Sequence, residues 1–189
     1  SIRSKLIKKI LDNEKYEWTS QRLLDISKNL DARRIPITKL KRTKGDIPYY
    51  GASGIVDYVK NFIFDEELLL ISEDGANLLQ RTYPIAFSIK GKTWVNNHAH
   101  VVRFEDKMLQ RWVEYYLNSI NISDFISGMA QPKLNQKKLN EIPILCPKPN
   151  LLAILLSNLE EITSHSENLI QLEGEKIDNY IALKSSILS

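Results

Sequence analysis

Three short runs hold side chains that could do chemistry. Glu73-Asp74 sets two carboxylates side by side, as acid–base work or a hard cation would require. His98-Ala99-His100 puts two imidazoles at period-two spacing on one strand face, a metal site still short of a third ligand of defined position. Glu105-Asp106-Lys107 matches the second half of the Asp…Glu-x-Lys pattern of metal-dependent nucleases, but spacing sets no upstream aspartate and the segment reads as a helix start. Ordinary structure accounts for the first two runs: a hydrogen-bonded turn built from the acids and Asn77, and histidines satisfied by local partners. Spacing supports no nucleophile–base pair, and no glycine-rich loop suits a nucleotide. The Asn/Asp-Pro-Pro-Tyr/Phe run of adenine methylation is missing too, since Ile47-Pro48-Tyr49-Tyr50 has the wrong order. The expectation is a binding module with no catalytic residues, no metal site and no cofactor of its own.

Binding chemistry is denser. Lys28–Lys44 holds seven basic residues and one acid, Asp31. Pro36 and the Ile-Pro-Ile-Thr alternation argue against a helix there. Arg33, Arg34, Lys39, Lys41, Arg42 and Lys44 are therefore candidates for phosphate contact, joined by Lys90, Lys92 and Lys133. The competing reading is a solvated loop. Asn96 and Asn97 have the amide group that pairs bidentately with adenine, or they form a turn. Gln131, Lys133, Asn135 and Gln136 have similar donors, or Asn135 is only a helix N-cap. The formal charge of +3 divides unevenly: residues 1–149 carry 24 basic and 17 acidic side chains, residues 150–189 carry 2 and 6. A basic body with an acidic tail points the body at a polyanion.

The elements that would position these groups are alternating and mixed. Leu6, Ile7, Ile10 and Leu11 predict a short leading helix. Leu23, Leu24 and Ile26 form an apolar cluster entering the core. Gly45–Val59 packs glycines, a proline and three tyrosines into a turn followed by an extended segment; Tyr49, Tyr50 and Tyr58 are expected to pack rather than stack on bases. Leu68–Ile71 reads as a buried strand. Ile85–Ile89 and Thr93–Phe104 read as a hairpin around Lys90-Gly91-Lys92. Met108, Leu109, Trp112, Val113, Tyr116, Leu117 and Ile120 mark the clearest helix, with its aromatic stripe in the core. Ser123 is expected to cap a short helix ended by Gly128, and Ile142–Leu145 to form a last strand before Pro147 and Pro149.

The tail has no proline after residue 149 and reads as one helix. Leu152, Leu155, Leu159 and Ile162 step at 3, 4 and 3, and the stripe resumes through Leu169, Ile177, Tyr180, Ile181 and Ile187. Fully helical, the tail would be about 60 Å long. It either pairs with a partner helix or folds back on its own body. The fold class is α+β, organised as residues 1–16 (leading helix or linker), 17–149 (recognition body) and 150–189 (helical spacer or dimerisation region). No run of about eighteen apolar residues predicts a membrane span. The single cysteine, Cys146, excludes an intrachain disulfide and fits a reducing, cytoplasmic setting.

Four blocks in order resemble a known family. Pro48–Val59 (PYYGASGIVDYV), Leu68–Asn77 (LLLISEDGAN), Trp94–His98 (WVNNH) and Ile126–Ile144 (ISGMAQPKLNQKKLNEIPI) are similar to the target recognition domain of the specificity subunit of Type I restriction–modification systems. The second block departs from the family's GEDGAN at Ser72. The resemblance implies a non-catalytic subunit that binds double-stranded DNA, reads one half of a bipartite target and docks modification subunits, with a restriction subunit joining them. S-adenosylmethionine, ATP and magnesium would belong to those partners. Full-length members have two recognition domains and two helical spacers; this chain has length for one of each. Either two copies pair through the tail as a homodimer, or a second recognition half completes the site. Outside this family, the readings are a coiled-coil-dimerising adaptor, a nucleic-acid-binding protein of another system, or a nuclease fragment.

Overall fold

Leu68–Ser72 has no polar alternation, so a strand there must be covered on both faces. The fold is built around that requirement. The computed structural model describes residues 2–128 and 130–188, with side chains to residue 184. In chain order the elements are α1 (Ile2–Leu11), β1 (Trp18–Arg22), α2 (Leu23–Ile26), β2 (Lys28–Asn29), β3 (Lys44–Gly51), β4 (Gly54–Val59), β5 (Phe64–Asp65) and β6 (Leu68–Ser72). They continue with α3 (Asn77–Gln80), β7 (Ala86–Ile89), β8 (Lys92–Val95), β9 (Ala99–Arg103), α4 (Lys107–Ser119), α5 (Gln136–Asn140), β10 (Pro143–Pro147) and α6 (Pro149–Leu188). Among the described residues the strands form three sheets: β2-β9-β6-β7, β4-β3-β8-β5, and the pair β1-β10.

All five residues of β6 are buried, and alternation sends them to two cores. Leu68 and Leu70 meet Phe64, Val95 and Val101 between the two four-stranded sheets. Leu69 and Ile71 meet Trp112, Val113, Leu117 and the start of α6 on the other side. The helix predicted from the 108–120 periodicity is α4, with Asp106 as its N-cap accepting from the Met108 and Leu109 amides. Its aromatic stripe is core: Trp112 is buried, stacks on Trp18 and donates Nε1–H to the Leu145 carbonyl. Met108 departs from the stripe and lies half exposed.

Four expectations need correction. The arms of the 85–104 hairpin do not pair with each other. β7 pairs with β6, whereas β8 pairs with β3 and β5, and Gly91 (φ +75°) carries the chain from one sheet to the other. A glycine between two alternating runs looks the same in sequence whichever strands they later join. Leu24 is exposed, and only Leu23 of its cluster is fully buried. The Ser123 segment is a single 3₁₀ turn (Ser123–Phe125) without a side-chain cap.

The tail seam is the fourth. The α6 helix forms, but Leu152, Leu155 and Leu159, with Leu156, pack into the body's own core beside Ile7 of α1. They are not available to a partner helix. Thr163, not Ile162, takes the next buried place. The step of 3 and 4 that marks a coiled-coil seam also marks a helix laid on its own domain. Beyond Thr163 the helix leaves the body, and Leu169, Ile177, Tyr180 and Ile181 are each at least 60% exposed. Ile187 lies outside the residues whose side chains are described. Among the described residues, no helix is long and apolar enough to cross a membrane.

Candidate nucleic-acid interface

The arm between β2 and β3 runs across the sheet β4-β3-β8-β5 and is tied down along its length. The indole Nε1–H of Trp94 donates to the Ile35 carbonyl at 2.7 Å. The Tyr49 hydroxyl accepts from the Ile37 amide at 3.1 Å, with its ring buried. Arg42 lies over that ring at 4.4 Å, donates Nε–H to the Ile37 carbonyl at 3.1 Å and pairs with Asp57 at 2.9 Å. Thus the tyrosines divide: Tyr49 packs as expected and anchors the arm, Tyr50 is half-buried against Phe87, and Tyr58 is exposed.

The arm's cations divide as well. Arg34 is 13% exposed, bonds Glu73 at 2.6 Å and the Ala99 carbonyl at 2.8 Å, and lies 3.5 Å from Asp31. Arg33 is half exposed, held by Glu66 and the Ile63 carbonyl (each 3.2 Å) and over the Phe64 ring. Lys39, Lys41 and Lys44 are exposed. Arg34 and Arg42 are thereby spent on the fold, because a guanidinium's several donors satisfy several internal acceptors at once. Lys90 and Lys92 are exposed near the crossover between sheets, Lys92 lying 5.0 Å from the Phe62 ring centre. β3 and β8 are parallel, with Tyr49 beside Trp94, so Lys44 and Lys92 sit toward one end of the sheet and Gly51 and Asn96 toward the other.

At that second end the four resembling blocks meet. Ser72 Oγ–H donates to the Ala52 carbonyl at 2.6 Å, joining the glycine turn to β6. Backbone bonds link Glu73 N–H to His98, Gly75 N–H to Pro132, and Leu134 N–H to Glu73. Beneath them lies a buried ionic cluster. His100 is 1% exposed; its Nδ1 is 2.6 Å from Asp31 Oδ2 and its Nε2 2.7 Å from the Leu134 carbonyl. Asp31 also accepts from the Val101 amide at 2.8 Å. Glu73 pairs with Arg34 and, at 3.2 Å, with Lys133. Burial pushes the Asp31 and Glu73 carboxyls up, but their partners overcome it and both end below the ordinary range. For Asp31 the partners are His100, the Val101 amide and Arg34. For Glu73 they are Arg34, His100 and Lys133.

Asp31, Glu73 and His100 present possible metal-ligand atoms within 4.8 Å of one another. They do not fit a divalent ion. Arg34 Nη1 sits 2.6 Å from the Glu73 carboxylate and Lys133 3.2 Å, so two protein cations hold the position a metal would need. Sequence reasoning missed this cluster because Asp31, the lone acid of a basic arm, looks like a solvated charge. Only its isolation among cations hinted at an internal partner.

Of the two amide candidates, Asn96 is 7% exposed, and its Oδ1 accepts from the His98 amide at 2.7 Å, closing the turn between β8 and β9. It is the turn former, not an exposed reader. Asn97 is exposed on that turn. His98 is exposed and pairs with Asp74 at 2.8 Å. Asp74, His98, Gln131 and Lys133 line an open cleft of about 390 Å³. Asn135 caps α5, accepting from the Lys138 amide. Glu105-Asp106-Lys107 serves the start of α4, with Lys107 Nζ donating to the Glu67 and Phe104 carbonyls.

Comparison with known proteins gives the same answer at each level. Residues 15–174 match the model of the Type I restriction modification DNA specificity domain. A Haemophilus influenzae protein named as a type I restriction enzyme specificity subunit is 34% identical over 158 residues, which cover 84% of this chain and 40% of that one. The Escherichia coli type I restriction enzyme EcoprrI specificity subunit is 30% identical over 122 residues, 62% of this chain and 29% of that one. The S subunit of a Type I system from M. genitalium superposes with a TM-score of 0.64 at 14% identity, over 85% of this chain and 43% of its own. The HsdS subunit of Thermoanaerobacter tengcongensis gives 0.59 at 13%, over 87% and 43%. At such identities these structures speak for the fold. The chain spans less than half the length of each of these proteins.

Proposed function

Since the chain belongs to the family of Type I restriction–modification DNA specificity domains, we propose that it is the unit that reads one half of a bipartite DNA target. It does no covalent chemistry itself. The observation that carries this is the pairing of two features: an anchored arm across the sheet β4-β3-β8-β5 presenting Lys39, Lys41 and Lys44, and, past the Asn96 end of that sheet, a turn-and-cleft region presenting Asn97, Gln131 and Lys133. Phosphate contacts by the first position the duplex; polar groups of the second read base edges. Lys90 and Lys92 extend the basic surface along the same sheet.

The distal part of α6 is the natural contact to a second recognition unit. Leu169, Ile170, Leu172 and Ile177 are all more than half exposed there, and a helix with such a stripe is stabilised by a partner. A second copy would give a dyad and two equivalent, inverted half-sites. Modification subunits dock on the body and helix and supply S-adenosylmethionine; a restriction subunit supplies ATP and magnesium chemistry. The setting is cytoplasmic.

Methylation mapping of DNA from cells carrying the chain with its modification subunit tests this. A split palindromic motif is the expected result. A split motif with unlike halves would replace the second copy by a different recognition half, and absence of any motif dependent on this chain would refute the reading.

A further inference from the structure

Leu40 is 99% exposed, at the apex of the 3₁₀ turn Lys39–Lys41. Exposed leucines are ordinary on a surface. This one stands on a built support. The turn closes through Lys41 N–H to the Thr38 carbonyl at 2.9 Å, and its stem is gripped by Arg42, Tyr49 and Trp94 as described above. A tip that served only solubility would gain nothing from three such clamps. A lysine flanks the leucine on each side, and both are exposed. The arrangement is an apolar point between two cations, held at a set height.

We propose that Leu40 is an apolar wedge that enters a base step of the half-site while Lys39 and Lys41 hold the neighbouring phosphates. This rests on the DNA-reading function above. Apolar side chains inserted between base pairs unstack them, and the cost depends on the step: pyrimidine–purine steps open most easily. Leu40 would thus add specificity for a flexible step without a hydrogen bond to any base.

The test uses the chain bound to its modification subunit and duplexes of the mapped motif with 2-aminopurine at successive steps of the half-site. Wild type should raise the fluorescence at one step, and Leu40→Ala should abolish that rise and weaken target binding about tenfold. Leu40→Met should retain both. The salt dependence of binding should be unchanged in Leu40→Ala, because both lysines remain. Replacing the responding step by a stiff one should weaken wild type but not Leu40→Ala. Equal affinity and fluorescence for wild type and Leu40→Ala would overturn the wedge. So would a Leu40→Ala variant that loses modification-subunit binding while keeping DNA affinity, since the leucine would then be a protein contact. A wild-type complex that prefers no duplex over another would instead remove the DNA-reading function itself.

Discussion

Arg34→Ala separates a structural cation from a DNA-binding one. In the folded protein this guanidinium neutralises Glu73 at 2.6 Å and faces Asp31 at 3.5 Å, where the two carboxylates are 12% and 5% exposed. Removing one partner of a buried pair costs about 3–5 kcal/mol because the other charge is stranded. Here Lys133 still reaches Glu73, and His100 and the Val101 amide still serve Asp31. The expected loss is therefore smaller than that, about 2–3 kcal/mol, read as a fall in the urea midpoint at unchanged slope. Glu73→Gln in the Arg34→Ala background should recover part of it, since the stranded charge is gone. The pH dependence has a definite sign. Both carboxyls titrate below their unfolded values, so their stabilisation is present above about pH 4.5 and is lost as pH falls through the depressed native values. Arg34→Ala should raise those native values and shift the acid loss to higher pH. A midpoint within about 0.5 kcal/mol of wild type, with DNA affinity reduced at every sequence, would refute the structural assignment and return Arg34 to the phosphate contacts.

Further expectations follow from burial and partners. Leu155→Ala should cost about 2–5 kcal/mol of stability by leaving a cavity in the body's core, whereas Leu172→Asp should leave thermal unfolding of the body unchanged and, on the proposed pairing of two copies through distal α6, abolish their association in sedimentation. Arg42→Lys should destabilise by about 1–2 kcal/mol, because an ammonium cannot serve Ile37, Asp57 and the Tyr49 face together; Lys41→Arg should be neutral in denaturant titrations. The Cys146 thiol, pushed up to about 11 by burial, should resist a thiol reagent at pH 8 until the protein unfolds.

What was legible in the sequence depended on whether a pattern had one structural solution. The α4 periodicity and the unbroken apolar run of β6 each had one, and both formed as read. The segment around Gly91 had two, since alternation shows which face of a strand is buried but not which strand lies beside it. The first half of the tail was similarly degenerate: Leu152, Leu155 and Leu159 satisfy both a coiled-coil seam and a domain-covering stripe. The ionic cluster was least legible. It joins Asp31, Glu73, His100 and Lys133, residues drawn from distant parts of the chain, and no local spacing encodes such a meeting. The four blocks of the family resemblance nevertheless marked the place, because their backbones are bonded to one another there.

The division of the arm's cations by residue type explains how a segment so basic can be rigid. Seven like charges within seventeen residues repel one another, and left unpaired they would keep the arm extended and mobile. Each of its three arginines is paired with a carboxylate: Arg33 to Glu66, Arg34 to Glu73 and Asp31, Arg42 to Asp57. That pairing cancels much of the repulsion and fastens the arm at two places, through Arg33 and Arg34 in its first half and through Arg42 near its end. The four lysines, Lys28, Lys39, Lys41 and Lys44, stay outside. An ammonium on a flexible stem suits phosphates whose positions vary along a duplex, whereas a planar guanidinium suits acceptors whose positions are set by the fold. On the proposed function, the arginine pairs set the arm's position on the fold, and the lysines, with Leu40 between two of them, are the groups left to meet DNA.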